Sequence, residues 1–286
     1  MKREDLHHFG SHKGRSIPLM IKEYTKHGAD MFVISSSGNA ALASIYAIQE
    51  HNHNNAEHPL TLQIYVGKHI PEEKLHVLQS IIMDSRITLT MTERAKQTAF
   101  LYAQEKKAIL LRQSTDDLAL TGYASLAEEL HRIPHLKAIF IPTSSGTTAQ
   151  ALGMACSELI KNTPDETMPQ IHVVQTIACH PIADACKKNL SPDSPSSSVI
   201  EAHSLATAIV DHVAKRKIAV VAVVKKSGGA GWIVTDDEIQ AAIQLIESTA
   251  ETIISPNSAL SVAGLTQAIH SGMTWDGPVA CLITGR

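Results

Sequence analysis

Short β-rich runs alternate with segments of helical spacing along nearly the whole chain, and few folds accept that alternation. The runs are Met31–Ser35, Leu60–Val66, Arg86–Met91, Ala108–Arg112, Lys137–Pro142, Ile171–Ile177, Ile218–Lys225 and Val279–Ile283. Helical spacing covers Asn39–Gln49, Glu72–Met83, Glu93–Gln104, Gly122–Arg132, Thr147–Lys161, Leu205–Lys215, Asp236–Thr249 and Ser258–Ser271. A further helix opens at Lys13–Arg15. Strands separated by helices pair in parallel, because a crossover of helical length carries the chain back to the same end of the sheet. The expectation is an α/β fold with mainly parallel sheets. The serine- and proline-rich stretch NLSPDSPSSSVIEA at 189–202 reads as a long loop.

With 286 residues, 44% of them hydrophobic and 19% charged, the chain can bury a sizeable core. A formal charge of −3 leaves no electrostatic footprint for nucleic acid or an anionic membrane surface. No apolar run approaches the roughly 18 residues of a membrane span, and MKREDLHH lacks the apolar core of a secretory signal. Cys156, Cys179, Cys186 and Cys281 lack metal-type pairing and read as reduced thiols, so the expected location is cytoplasmic. Sixteen histidines are many, but HNHNNAEH at 51–58 reads as an exposed polar loop, and no metal is expected.

Two strand-to-helix junctions carry the chemistry. In FVISSSGNAALASIYA, Ser35-Ser36-Ser37-Gly38-Asn39 links a β-branched run to an alanine-rich helix; in AIFIPTSSGTTAQALGMA, Thr143-Ser144-Ser145-Gly146-Thr147-Thr148 does the same. Ligands of open parallel sheets gather at the carboxyl ends of strands, where a starting helix offers unpaired N–H groups and the positive end of its dipole. Small residues let the backbone approach an anion, and hydroxyls add donors. Each junction is an anion cradle in outline, though serine, threonine and glycine are equally ordinary helix-capping residues. Neither matches the lysine-bearing P-loop or the GxGxxG fingerprint, so a nucleotide reading lacks support.

In chain order, Gly-Ser-His-Lys-x-Arg at 10–15, Ser-Ser-Gly-Asn at 36–39, the hydroxyl-rich loop at 144–148 and the closing Leu-Ile-Thr-Gly form a specific series. The series resembles the fold-type II pyridoxal-phosphate enzymes, which include threonine synthase, threonine and serine dehydratases, cysteine synthase and the tryptophan synthase β subunit. KREDLHHFGSHK is most similar to the tryptophan synthase β form of the lysine segment. SSSGNAALASIYA, LTGYASLAEEL, IHVVQTIACHPIADA and ISPNSALSVAGL look more like threonine synthase and its dehydratase relatives. Relatives usually carry some tens of residues ahead of the lysine segment, so the chain reads as an N-terminally shortened member. Gly14 stands where threonine-synthase-like members often have Asp, and Ser255 where many have Glu.

The resemblance implies pyridoxal phosphate as cofactor and assigns roles. Lys13 would form the Schiff base with it and move protons at the substrate α-carbon. Asn39 would bond the cofactor's ring oxygen. Ser36, Ser37, Gly38 and Ala40 would hold the substrate carboxylate. Ser144, Ser145, Gly146, Thr147 and Thr148 would bind the phosphate, and Thr284 would face the pyridine nitrogen. Taken singly, Lys13 is an ordinary surface lysine, Asn39 a helix-start residue, Thr284 a strand-end residue and Arg15 a helix-surface charge. Only their conjunction is chemical. The implied reaction is β- or γ-elimination or replacement on a hydroxylated or O-activated amino acid by a homodimer, with Lys2, Arg3 and Arg15 as possible contacts for a substrate phosphate. The alternative is a catalytically silent homologue acting as a binding or partner subunit. The implied domains are 1–28 with 119–286, the large one, and an inserted α/β domain over 29–118.

Overall fold

The structure, a computed structural model, describes residues 1–162, 167–187 and 203–285. The chain begins with β1 (Lys2–Arg3), a 3-10 turn, α1 (Lys13–Lys26), β2 (Met31–Ser35), α2 (Asn39–Asn54) and β3 (Thr61–Gly67). Next come α3 (Glu72–Ile81), β4 (Ile87–Thr92), α4 (Ala95–Lys106), β5 (Ile109–Leu110), α5 (Leu118–Thr121) and α6 (Ala124–His131). Then follow β6 (Ala138–Pro142), α7 (Thr147–Leu159), β7 (Gln170–Thr176), α8 (Pro181–Lys187) and α9 (Lys217–Ser227). The chain ends with β8 (Gly231–Val234), α10 (Asp236–Ala250), α11 (Pro256–His270) and β9 (Val279–Ile283).

Among the described residues the strands form two sheets, ordered β1-β9-β6-β7-β8 and β4-β3-β2-β5. Every strand pair in both is parallel. The chain divides into two compact units, Met1–Asp5 with Tyr123–Arg286, and Leu6–Gly122. The segment 6–28, expected with the large domain, falls in the smaller unit. The cause is α1, whose Ile17, Met20 and Ile21 join Phe32, Ile45, Ile48 and Ile64 in one core. Ser16 Oγ also donates to the Ala119 carbonyl at 2.8 Å, which draws 119–122 in as well. The larger unit has its own core, from Phe140 and Val174 to Leu260 and Ile283.

The run Ile218–Lys225, expected as a strand, is helix α9. Val220, Val221 and Val224 are its buried residues, a helical spacing, and Gly228 ends it in the left-handed conformation (φ +70°). A Cβ on Gly153 of α7 would stand 2.0 Å from Val223, so glycine opens the groove this helix fills. Packing outweighs the strand preference of β-branched residues here. Conversely Leu205–Lys215, expected as a helix, is irregular, because side chains elsewhere in the unit take up its backbone groups. Asp236 accepts the Leu205 N–H, Asn257 the Ala208 N–H and Ser144 Oγ the Val210 N–H. Residues 51–54 are the end of α2 rather than loop. Asn52 holds them by bonding the Leu60 backbone in both directions. The expected loop at 189–202 lies outside the described residues.

Candidate active site

Sheet winding places two crevices. In the smaller unit the chain moves outward from β2 to β3 to β4, then returns to β5 on the other side of β2. In the larger unit it moves from β6 to β7 to β8, then returns to β9 on the other side of β6. Each reversal opens a gap beyond the carboxyl end of the central strand, the usual ligand position in such sheets. Ser36–Ala40 follows β2; Ser144–Thr148 follows β6, and Thr284 follows its neighbour β9. The two expected cradles thus lie at the switch points, whereas Lys13 opens α1 ahead of β2.

In the smaller unit Lys13 opens α1, which packs against α2. The side chain keeps partial exposure, yet the protein packed around its amine lowers its pKa to about 8. Desolvation alone causes that shift, and no carboxylate among the described residues pairs with it. Just ahead, the fully buried Ser11 hydroxyl has no hydrogen-bond partner among the described residues. Gly14 is required by the turn before the helix: a Cβ there would lie 2.5 Å from His7 Nδ1 and 2.7 Å from Phe9 Cβ. Phe9 in turn packs near Tyr46 of α2, with 6.2 Å between ring centroids.

The 36–40 turn is built for backbone donors. Gly38 is the N-cap of α2 and no side chain caps that end, while the Gly38 N–H donates to Ser36 Oγ at 3.3 Å. Asn39 and Ala40 hold the first helical positions, whose N–H groups have no partner within the helix.

In the larger unit Gly146 caps α7 with φ +90°, again without a side-chain cap. Ser145 and Thr147 hydroxyls lie 3.1 Å apart across the cap. Beside this loop the fully buried Gln175 of β7 donates from Nε2 to the Thr143 carbonyl at 3.1 Å, with the Ser144 carbonyl at 3.5 Å. Its Oε1 accepts the Ile182 and Ala183 N–H groups of α8, each at 2.9 Å. Spacing does not single out Gln175; an amide inside the apolar run IHVVQTI is the signal that could have found it. Thr284 is buried with its Oγ1 3.5 Å from Ser258 Oγ. Ser255 and Ser258 hydroxyls each lie 2.8 Å from the Gly285 carbonyl and so fix the backbone after Thr284.

Lys2 and Arg3 are already engaged: Lys2 pairs with Glu4 at 3.1 Å and with Glu129, and Arg3 forms a two-pronged bond with Asp5 at 2.7 and 2.8 Å. They fasten β1 in place and are poor choices for a substrate phosphate. Burial raises Cys156 and Cys179 to about 11 and Cys186 and Cys281 to about 12, so none is an active thiolate.

A family model described as pyridoxal-phosphate dependent enzyme matches residues 1–285. The chain belongs to this family. A threonine synthase of Methanosarcina acetivorans is 24% identical over 301 residues, spanning all of this chain and 69% of its own length. The processed threonine deaminase isoform 2 of Solanum lycopersicum superposes with a TM-score of 0.78 at 16% identity, covering 99% of this chain and 78% of that one. A pyridoxal 5'-phosphate-dependent aspartate racemase gives 0.80 at 18%, covering 99% and 82%. Pyridoxal phosphate is therefore the cofactor and the protein is an enzyme of this family, similar to threonine synthases and dehydratases.

The residues fit that group. Taken unit by unit, the start of α7 behind left-handed Gly146 offers the uncapped donors a phosphate needs, and the desolvated Lys13 amine, with no carboxylate partner among the described residues, has the character that attack on an aldehyde carbon needs. No helix among the described residues is long and apolar enough to cross a membrane.

Proposed function

We propose that this enzyme removes the α-proton of a hydroxylated or O-activated amino acid and expels a β- or γ-leaving group, in the manner of a threonine synthase or a threonine/serine dehydratase. The observation that carries the proposal is the Lys13 amine, held at about 8 by desolvation alone. When bound, pyridoxal phosphate supplies the electron sink that makes such a proton acidic. Lys13 would hold the cofactor aldehyde until the substrate amine takes its place, and the released amine, neutral half the time near pH 8, would accept the α-proton and return it. Ser144–Thr148 bind the phosphate through backbone N–H groups and hydroxyls, without a cationic side chain. Ser36, Ser37, Gly38 and Ala40 hold the substrate carboxylate at the start of α2, and Asn39 orients the cofactor ring oxygen. Thr284 meets the pyridine nitrogen as a neutral hydroxyl, which favours elimination and replacement. A cytoplasmic homodimer is part of this reading, and size-exclusion chromatography tests the assembly.

The decisive experiment titrates the purified protein with pyridoxal phosphate. The parent should develop a visible band that borohydride fixes to the chain, and Lys13→Ala should not. An unchanged fixed band in the variant removes Lys13 from the site. A panel of threonine, serine and O-phosphohomoserine, read as released 2-oxobutanoate, pyruvate, threonine or inorganic phosphate, then assigns the reaction. A band with no turnover on any of them favours the silent homologue.

A further inference from the structure

The geometry points to Gln175 as the positioning residue that gives the 144–148 loop its selectivity for a phosphate group. The inference rests on the cofactor reading above and deepens it. Gln175 lies near the end of β7, an inner strand on which it follows the apolar pair Val173 and Val174 and is itself fully buried. Burying an amide costs free energy unless all its hydrogen-bonding capacity is used. Here it is used: two donations to loop carbonyls, two acceptances from the start of α8. The two α8 N–H groups also settle which end of the amide is oxygen, so the donor end faces the loop.

The consequence follows from peptide geometry. In a trans peptide the C=O and N–H point in opposite directions, and no cis bond occurs among the described residues. The Thr143 carbonyl shares its peptide with the Ser144 N–H, and the Ser144 carbonyl with the Ser145 N–H. Drawing both carbonyls onto Gln175 turns both N–H groups away from it. Beyond Pro142 the β6 ladder no longer sets these peptides; Thr143 still gives its N–H to the Val174 carbonyl at 2.9 Å, but its own carbonyl has turned to the amide. Gln175 thus replaces the strand ladder as the device that aims two loop donors. Together with the open first turn of α7 they make a concave set of N–H groups suited to a doubly charged phosphate monoester.

The test compares pyridoxal phosphate with pyridoxal, which differ only at the phosphate, by visible titration of the parent, Gln175→Glu and Gln175→Met. Gln175→Glu keeps the shape and the acceptor facing α8, but sets a carboxylate oxygen against two carbonyls. Both variants should bind pyridoxal phosphate at least about tenfold more weakly while pyridoxal binding changes less than about twofold. Gln175→Glu should regain part of its phosphate preference as pH falls and the carboxyl gains a proton to donate. If Gln175→Met fails to fold, Gln175→Glu decides alone. A parent that discriminates the two ligands, with variants that keep its ratio or lose both affinities equally, overturns the inference and leaves the cofactor reading standing. A parent that takes up neither ligand overturns both.

Discussion

Gly14 lies so close to His7 that a Cβ would come within 2.5 Å of the ring nitrogen. The residue after Lys13 is therefore small because the preceding turn folds back onto the helix start. Gly14→Ala gains a little helix propensity but must displace both His7 and Phe9, at a net cost of about 1 to 3 kcal/mol. The expected result is a lower urea midpoint together with weaker capture of pyridoxal phosphate. Unchanged capture would show that the turn does not position Lys13.

The Lys13 amine should show its pKa in both rate and stability. Its folded pKa, about 8, lies below the ordinary 10.5, so the unfolded chain binds more protons between those values. Stability from this group is therefore lowest below about 8, rises with pH from there, and levels off above 10.5. Lys13→Met, which removes the buried charge, should gain about 2 kcal/mol at pH 7 after allowance for partial exposure. In the parent, the rate of pyridoxal phosphate capture should rise with pH and flatten above about 8. A rate still climbing toward pH 10 would mark Lys13 as solvated.

Much of this was legible in the sequence, and the exceptions share a cause. The strands Met31–Ser35 and Val279–Ile283 coincide with their apolar runs, because an inner parallel strand is buried on both faces and reads as a continuous stretch. The valines at 220–224 read identically and are helical, since only the Gly153 groove distinguishes their setting. The residues proposed for the site, Lys13, Asn39, Ser144–Thr148 and Thr284, were visible as a series in chain order. Gln175 was not, because its partners are backbone groups that carry no side-chain signature.

Gly146 meets two demands at once. Its φ of +90° strains any residue with a side chain, and an added Cβ would lie 2.6 Å from Val220 Cγ2. Gly146→Ala should cost about 2 to 4 kcal/mol and reduce pyridoxal phosphate affinity more than pyridoxal affinity. Adding Val220→Ala relieves the clash and leaves the backbone strain, so a double-mutant cycle separates the two. Full recovery in the double variant would mean that the left-handed cap has no part in binding phosphate.

His172 should set the acid limit of the larger unit. The ring is fully buried and lies flat on Phe140, with 4.3 Å between centroids. Its Nδ1 accepts from the Ala230 N–H and from Trp232 Nε1, both at 3.1 Å. A proton on Nδ1 would face those two donors, so the neutral ring carries its hydrogen on Nε2 and donates it to Gln170 Oε1 at 3.1 Å. Burial lowers the pKa to about 4 from 6.5. The folded value being depressed, this group leaves stability untouched above 6.5 and withdraws it as pH falls toward 4. The loss between pH 7 and pH 5 should be about 2 kcal/mol, read by urea denaturation at each pH. His172→Phe should be weaker at pH 7, having no acceptor for Trp232, but should lose about 2 kcal/mol less than the parent on acidification. Equal losses in the two proteins would place the acid-sensitive group elsewhere.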